Sequence, residues 1–233
     1  QLNDTVEIIR QLTAHGVDMI EIGIPFSDPM ADGPVIQNSS QVALANGMSQ
    51  NLLFEQLKDI RQVTNIPLIL MGYVNPILQF GFDKFCKKAQ EIGIDGLIIP
   101  DLPMAEYLQE FKATAEKYQL ENILLITPET PEERIRLIDS HSNGFIYMVS
   151  SAATTGTQNS FAGNKEKYFQ RIKNMQLKNP TLIGFGISNK ETFDSACAHA
   201  SGAIVGSAFI KCLGENNSTE KAVIELMKKI TKC

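Results

Sequence analysis

The stretch Asp95-Gly-Leu-Ile-Ile-Pro100 carries apolar side chains on both of its faces. A strand with one wet face alternates apolar with polar residues, so this one is covered on both sides, as strands of a parallel sheet are. Its surroundings agree: amphipathic periodicity predicts a helix at 82–92 before it and another at 104–118 after it. Working back toward the N-terminus, the same alternation returns. The strand at 67–72 contains Pro67-Leu-Ile-Leu-Met71, a helix at 50–63 precedes it, and a strand at 18–24 follows a helix at 3–15. That first helix lines up Val6, Ile9 and Leu12 on one stripe and stops before Gly16.

Toward the C-terminus come the strand Asn122-Ile-Leu-Leu-Ile-Thr127, a helix at 131–140, the strand Gly144-Phe-Ile-Tyr-Met-Val-Ser150 and a helix at 165–176. Thr181-Leu-Ile-Gly-Phe-Gly186 and Gly202-Ala-Ile-Val-Gly206 are the last strands, each followed by a helix, and the final helix lies near 218–231. Thr130-Pro-Glu-Glu133, with Pro at the first helical position, and Ser188-Asn-Lys-Glu191 read as capping boxes. The total is seven strands in a chain that opens on a helix, where an alternating α/β chain should open on a strand. One strand upstream of Gln1 makes eight. A (β/α)8 TIM barrel is therefore the expected fold, as a single domain over 1–233 that lacks its first strand, with a doubly wound sheet as the alternative. No internal repeat beyond the βα unit and no low-complexity linker suggests a second domain.

Bulk properties narrow the function. The chain has 233 residues, 43% of them apolar and 20% charged, which is ample for one large core and unlike a disordered chain. A net charge of −5 without a long basic run argues against nucleic acid or an anionic membrane as the main partner. No apolar run reaches the roughly 18 residues of a membrane span. Cys86, Cys197, Cys212 and Cys233 are scattered and read as reduced thiols of a cytoplasmic protein, and His15, His141 and His199 form no metal-ligand cluster with them.

In a barrel, chemistry sits at the C-terminal ends of the strands. Those ends offer Glu21 with Asp32 in the next loop, then Tyr73 and Asn75, Asp101, Thr127, Tyr147, Gly184-Phe185-Gly186 and Gly206-Ser207. No lysine lies in a strand or at its immediate end, which disfavours a Schiff-base mechanism, and carboxylate acid/base work remains. Glu21 stands between Ile20 and Ile22 and faces away from them. In apolar surroundings its pKa should rise toward neutrality, which suits a group that both gives and takes protons; a structural carboxylate bonded to a loop amide is the alternative. Asp32 precedes Gly33-Pro34 at a helix start, where Asp is also a common turn or N-cap residue. The glycine segments at Gly186 and Gly206-Ser207 present backbone N–H groups at helix starts after the last two strands, the usual phosphate cup of a barrel, although glycines also serve tight turns. Ser150 to Ser160, small and polar, reads as a lid or as a floppy connection.

Taken together, these segments resemble the alpha subunit family of tryptophan synthase. Ile20 to Gly33 matches its signature position by position, and Tyr147-Met-Val-Ser150 with Thr155-Gly156, Gly184-Phe-Gly-Ile-Ser188 and Gly202-Ala-Ile-Val-Gly-Ser207 match its later motifs in order and spacing. The resemblance implies a lyase of tryptophan biosynthesis that cleaves indole-3-glycerol phosphate to indole and glyceraldehyde 3-phosphate, with no cofactor in this chain. It implies that Glu21 is the acid/base and that Asp32 holds the indole N–H. It further implies that Tyr147 lines the glycerol region, that Thr155 pairs with Asp32 on closure, and that Gly156, Phe185, Gly186, Gly206 and Ser207 surround the phosphate. The implied partner is a pyridoxal-phosphate beta subunit in an alpha2beta2 heterotetramer, reached through the Pro25 to Asp32 loop. The family usually has Arg and Gly where this chain has Ser151 and Ala153. Other phosphate-sugar barrels would keep the phosphate cup without a use for the acid pair, and a chain serving mainly as an allosteric partner would turn over slowly alone.

Overall fold

The computed structural model describes residues 1–150, 161–184 and 186–231, and seven strands lie among them. They are β1 (Ile20–Gly23), β2 (Leu68–Met71), β3 (Gly96–Ile98), β4 (Glu121–Ile126), β5 (Ile146–Val149), β6 (Thr181–Gly184) and β7 (Gly202–Ala203). The chain divides into two compact units. The first comprises Gln1–Asn122 with Ile210–Glu225; the second runs from Ile123 to Phe209 and takes up the chain again at Leu226.

In the first unit β1 pairs in parallel with β2, setting Glu21 beside Ile69, and β2 pairs in parallel with β3. Leu68, Leu70, Leu97 and Ile98 are almost wholly buried, so the sheet is covered on both faces as its apolar runs predict. Phe54, Phe80 and Phe85 pack as a ring cluster with centroids 5.5 to 6.2 Å apart, joining the helices that cover this sheet. In the second unit β4, β5, β6 and β7 run parallel in that order. Its core is built from Ile126, Ile135, Ile146, Met148, Tyr168, Phe169, Ile172 and Ile183.

Local structure departs from expectation where short-range chemistry outweighs the pattern. The helix expected at 82–92 is present as Phe82–Glu91, and an unexpected short helix, Val74–Phe80, precedes it; Gly81 between the two takes φ +91°, a conformation that ends a helix and that glycine adopts without strain. The helix over 104–118 widens into a π turn at Tyr107–Phe111. Neither expected capping box forms. At the first, the Thr130 hydroxyl accepts the Thr127 N–H at 2.9 Å and so closes the preceding turn, leaving extended Pro131 as the N-cap and Glu132 as the first helical residue. At the second, the frame moves on by one residue. Asn189 accepts the Thr192 N–H at 2.9 Å while the Thr192 hydroxyl accepts the Asn189 N–H at 3.2 Å, because asparagine caps as strongly as serine and its extended backbone fits the cap.

Candidate active site

In the first unit the chemistry begins with strand period. Ile20 and Ile22 are buried on one face of β1, which turns Glu21 to the other, where it is half-buried. Burial pushes the Glu21 carboxyl up to about 7, and the neighbouring charge of Asp32 adds to the shift. At neutral pH both protonation states of Glu21 are then populated.

Asp32 lies near enough for its charge to act on Glu21, and its loop is fastened. The Tyr73 hydroxyl, just past β2, donates to Oδ2 of Asp32 at 3.0 Å and accepts the Ala31 N–H at 2.9 Å, so a single oxygen holds the loop by side chain and backbone. The Gln37 amide donates to the Asp32 carbonyl at 2.9 Å and the Pro29 carbonyl at 3.4 Å, and Phe26 packs on the Tyr73 ring with centroids 5.3 Å apart. Asp32 does not cap the following helix; Gly33 occupies that position ahead of Pro34. Burial raises the Asp32 pKa while the Tyr73 hydrogen bond opposes the rise. The phenol of Tyr73 is itself driven above its ordinary value, first by burial and then by the Asp32 charge, so it stays a donor. Tyr73 was visible at a strand end in the sequence without a role. Its signal is position: a tyrosine at the end of the strand that pairs with the Glu21 strand.

In the second unit Tyr147 is buried on β5, and its hydroxyl occupies the space that a Cβ on Gly184 would need. β5 and β6 align Val149 with Gly184, β6 and β7 align Ile183 with Ala203, and the Ile204 N–H donates to the Ile183 carbonyl at 2.8 Å. The loops leaving β6 and β7 therefore emerge side by side. Gly186, at φ +78°, is exposed in the first, and Gly206 and Ser207 are exposed in the second at the start of the helix Ser207–Glu215. Thr155, Gly156 and Phe185, with Ser151, Ala153 and the rest of the 151–160 segment, lie outside the described residues. Among the described residues no group of three or more His, Cys, Asp or Glu side chains is arranged to hold a metal, and no helix is long and apolar enough to cross a membrane.

The family model described as Tryptophan synthase alpha chain matches residues 1–232. The tryptophan synthase alpha chain of Bacteroides fragilis is 62% identical over 97% of this chain and 86% of its own length. That of Flavobacterium psychrophilum is 63% identical over 97% and 90%. Among solved structures, the tryptophan synthase alpha subunit of Pyrococcus furiosus superposes with a TM-score of 0.87 at 32% identity, covering 99% of this chain and 92% of its own. A chain of the tryptophan synthase complex from the same organism gives the same figures.

Proposed function

The chain belongs to the tryptophan synthase alpha chain family, and from that premise we propose which of its residues carry the family's reaction. It is a (β/α)8 barrel lyase that cleaves indole-3-glycerol phosphate to indole and glyceraldehyde 3-phosphate in tryptophan biosynthesis. In this reading residues 1–233 are one barrel domain, Glu21 and Asp32 are its acid/base pair, and the observation that carries the assignment is the raised Glu21 carboxyl coupled to an Asp32 held by Tyr73.

Protonated Glu21 gives its proton to C3 of the indole ring, and the positive charge that appears on the ring nitrogen is met by the Asp32 carboxylate, which accepts the N–H. Glu21, now ionised, takes the proton of the hydroxyl on the carbon attached to C3. The bond between that carbon and C3 breaks, its electron pair restores the aromatic ring, and the carbon leaves as the aldehyde. Glu21 ends protonated, as it began, so the cycle closes without a co-reactant. A carboxyl poised near pH 7 is suited to both transfers. Burial lifts both carboxyls, but the Tyr73 hydrogen bond opposes the rise at Asp32 while the Asp32 charge adds to it at Glu21, and the two acids are thereby pushed toward different tasks.

Tyr147 lines the glycerol portion, and Gly186, Gly206 and Ser207 offer backbone N–H groups to the phosphate at two adjacent loop ends. No step calls for a cofactor in this chain. A beta subunit is the partner, in an alpha2beta2 assembly that carries pyridoxal phosphate in the beta chain, and a cytoplasmic setting suits a chain of scattered thiols. The direct test is indole release from indole-3-glycerol phosphate by the wild type and by Glu21→Gln. The amide is nearly isosteric and transfers no proton, so turnover should fall by about 10²–10⁴-fold with substrate binding retained. A variant keeping more than about a tenth of wild-type turnover, far above that range, overturns the role of Glu21.

A further inference from the structure

The helix Phe161–Asn174 packs on the second unit through Tyr168, Phe169 and Ile172, all buried, and its Tyr168 hydroxyl donates to the Ile126 carbonyl at 3.2 Å. Lys165 stands one turn before Tyr168 and Phe169, on the face of the helix that meets the sheet, and is half-buried there. A lysine on such a face is uncommon, because desolvating an ammonium costs free energy unless an anion answers it. Lys165 forms no hydrogen bond or ion pair with any described residue. Its Nζ lies instead 3.8 Å from the point that a Cβ on Gly186 would occupy, and the Ser150 hydroxyl lies 4.0 Å from the same point. The bare face of Gly186 is thus flanked by a cation and a hydroxyl.

We propose that Lys165 is a phosphate-binding residue of this enzyme, its ammonium pairing with a phosphate oxygen of indole-3-glycerol phosphate seated on the open face of Gly186. This rests on the reading that the substrate phosphate lies at the loop ends after β6 and β7. Backbone N–H groups and helix starts supply only partial charges, about half a unit per helix, against a phosphate that carries nearly two negative charges. Lys165 adds a full positive charge from the N-terminal part of its helix, where the helix dipole also favours an anion. A lysine serves here as a point charge on a flexible stem and needs no fixed bidentate geometry. Gly186 contributes by what it lacks: any side chain there would fill the space between ammonium and phosphate.

The test compares wild type, Lys165→Met, Lys165→Arg and Gly186→Val, each first checked for a wild-type thermal transition. Calorimetry measures binding of sn-glycerol 3-phosphate and, separately, of indole, and steady-state assays give KM and kcat for indole-3-glycerol phosphate. Lys165→Met should weaken glycerol phosphate binding and raise KM by on the order of 10- to 100-fold, with kcat and indole binding within about twofold, since a hydrogen bond to a charged group has that worth. Lys165→Arg should retain most of the affinity, and wild-type binding should fall more steeply with salt than that of Lys165→Met. If Gly186→Val weakens phosphate binding and Lys165→Met does not, the phosphate is at the loop ends but Lys165 does not bind it, and the proposal fails alone. If neither variant weakens it, the phosphate lies elsewhere and the underlying reading fails as well. Equal loss of indole and glycerol phosphate binding in Lys165→Met marks a structural role and also overturns the proposal.

Discussion

The Tyr73 hydroxyl donates a 3.0 Å hydrogen bond to Oδ2 of Asp32 while accepting the N–H of Ala31. One oxygen therefore sets both the place and the charge of the second carboxylate. Tyr73→Phe keeps the ring packed on Phe26 and removes only that oxygen. Asp32 should then titrate higher, since the bond that lowers its pKa is gone, and the Ala31 N–H should lose its partner. A hydrogen bond to a charged group is worth about 1.5–3 kcal/mol. We expect kcat/KM for indole-3-glycerol phosphate to fall by on the order of tenfold or more, with its acidic limb moved to higher pH. An unchanged pH profile with a reduced rate would mean that Tyr73 orders the loop without tuning Asp32.

Glu21 should leave a mark on stability. Its folded-state pKa of about 7 lies above its ordinary 4.5, so between those values the folded chain binds more protons than the unfolded one. Its contribution is fully present below 4.5 and is lost as pH rises through about 7. Urea midpoints of the wild type should therefore decline relative to those of Glu21→Gln across that window. Parallel curves for the two proteins would show that Glu21 ionises at its ordinary pKa.

Glu21 is legible in the sequence because a lone acid in an apolar strand has few uses, and the two-residue period alone fixes its face. Asp32 is less so. A loop aspartate before Gly-Pro has several local roles, and its bond to Tyr73 spans 41 residues and exists only once the loop has folded onto β2. Lys165 is invisible for a related reason: nothing in its helix points to Gly186, which it approaches through packing. At the two caps the pattern gave the right element with the wrong boundary, and before Gly81 it missed the short helix Val74–Phe80. Helix periodicity says which face is buried, whereas a left-handed glycine or a competing hydroxyl decides where the helix begins or stops.

A side chain at position 184 should be paid for at Tyr147. Gly184 is buried, and a Cβ there would overlap the Tyr147 hydroxyl. Gly184→Ala must push the phenol aside, and overpacking of this kind destabilises by roughly 1–3 kcal/mol. If Tyr147 lines the glycerol portion of the site, KM for indole-3-glycerol phosphate should rise as well. Combining Gly184→Ala with Tyr147→Phe removes the overlapping oxygen, so the double variant should recover part of the thermal stability that the glycine replacement costs. Strictly additive losses would place the strain elsewhere.

Met30 is 90% exposed, an unusual setting for so apolar a side chain, and it sits two residues before Asp32 on the loop that Tyr73 and Gln37 hold down. A protein surface that covers Met30 also bears on the backbone next to Ala31, whose N–H meets Tyr73, and can change how Asp32 is presented without touching substrate. Burying a methionine is worth about 1.5–3 kcal/mol, which corresponds to roughly 10- to 100-fold in affinity. Met30→Asp should accordingly raise the concentration of tryptophan synthase beta subunit needed for half-maximal stimulation of indole release by about tenfold or more, on the same burial argument. The rate of the isolated variant should stay near that of the wild type, because the Met30 side chain projects into solvent and the bonds that hold Asp32 come from Tyr73 and Gln37. Titration of each chain with beta subunit under identical substrate decides it: the same half-saturation point for both would place the docking surface away from this loop.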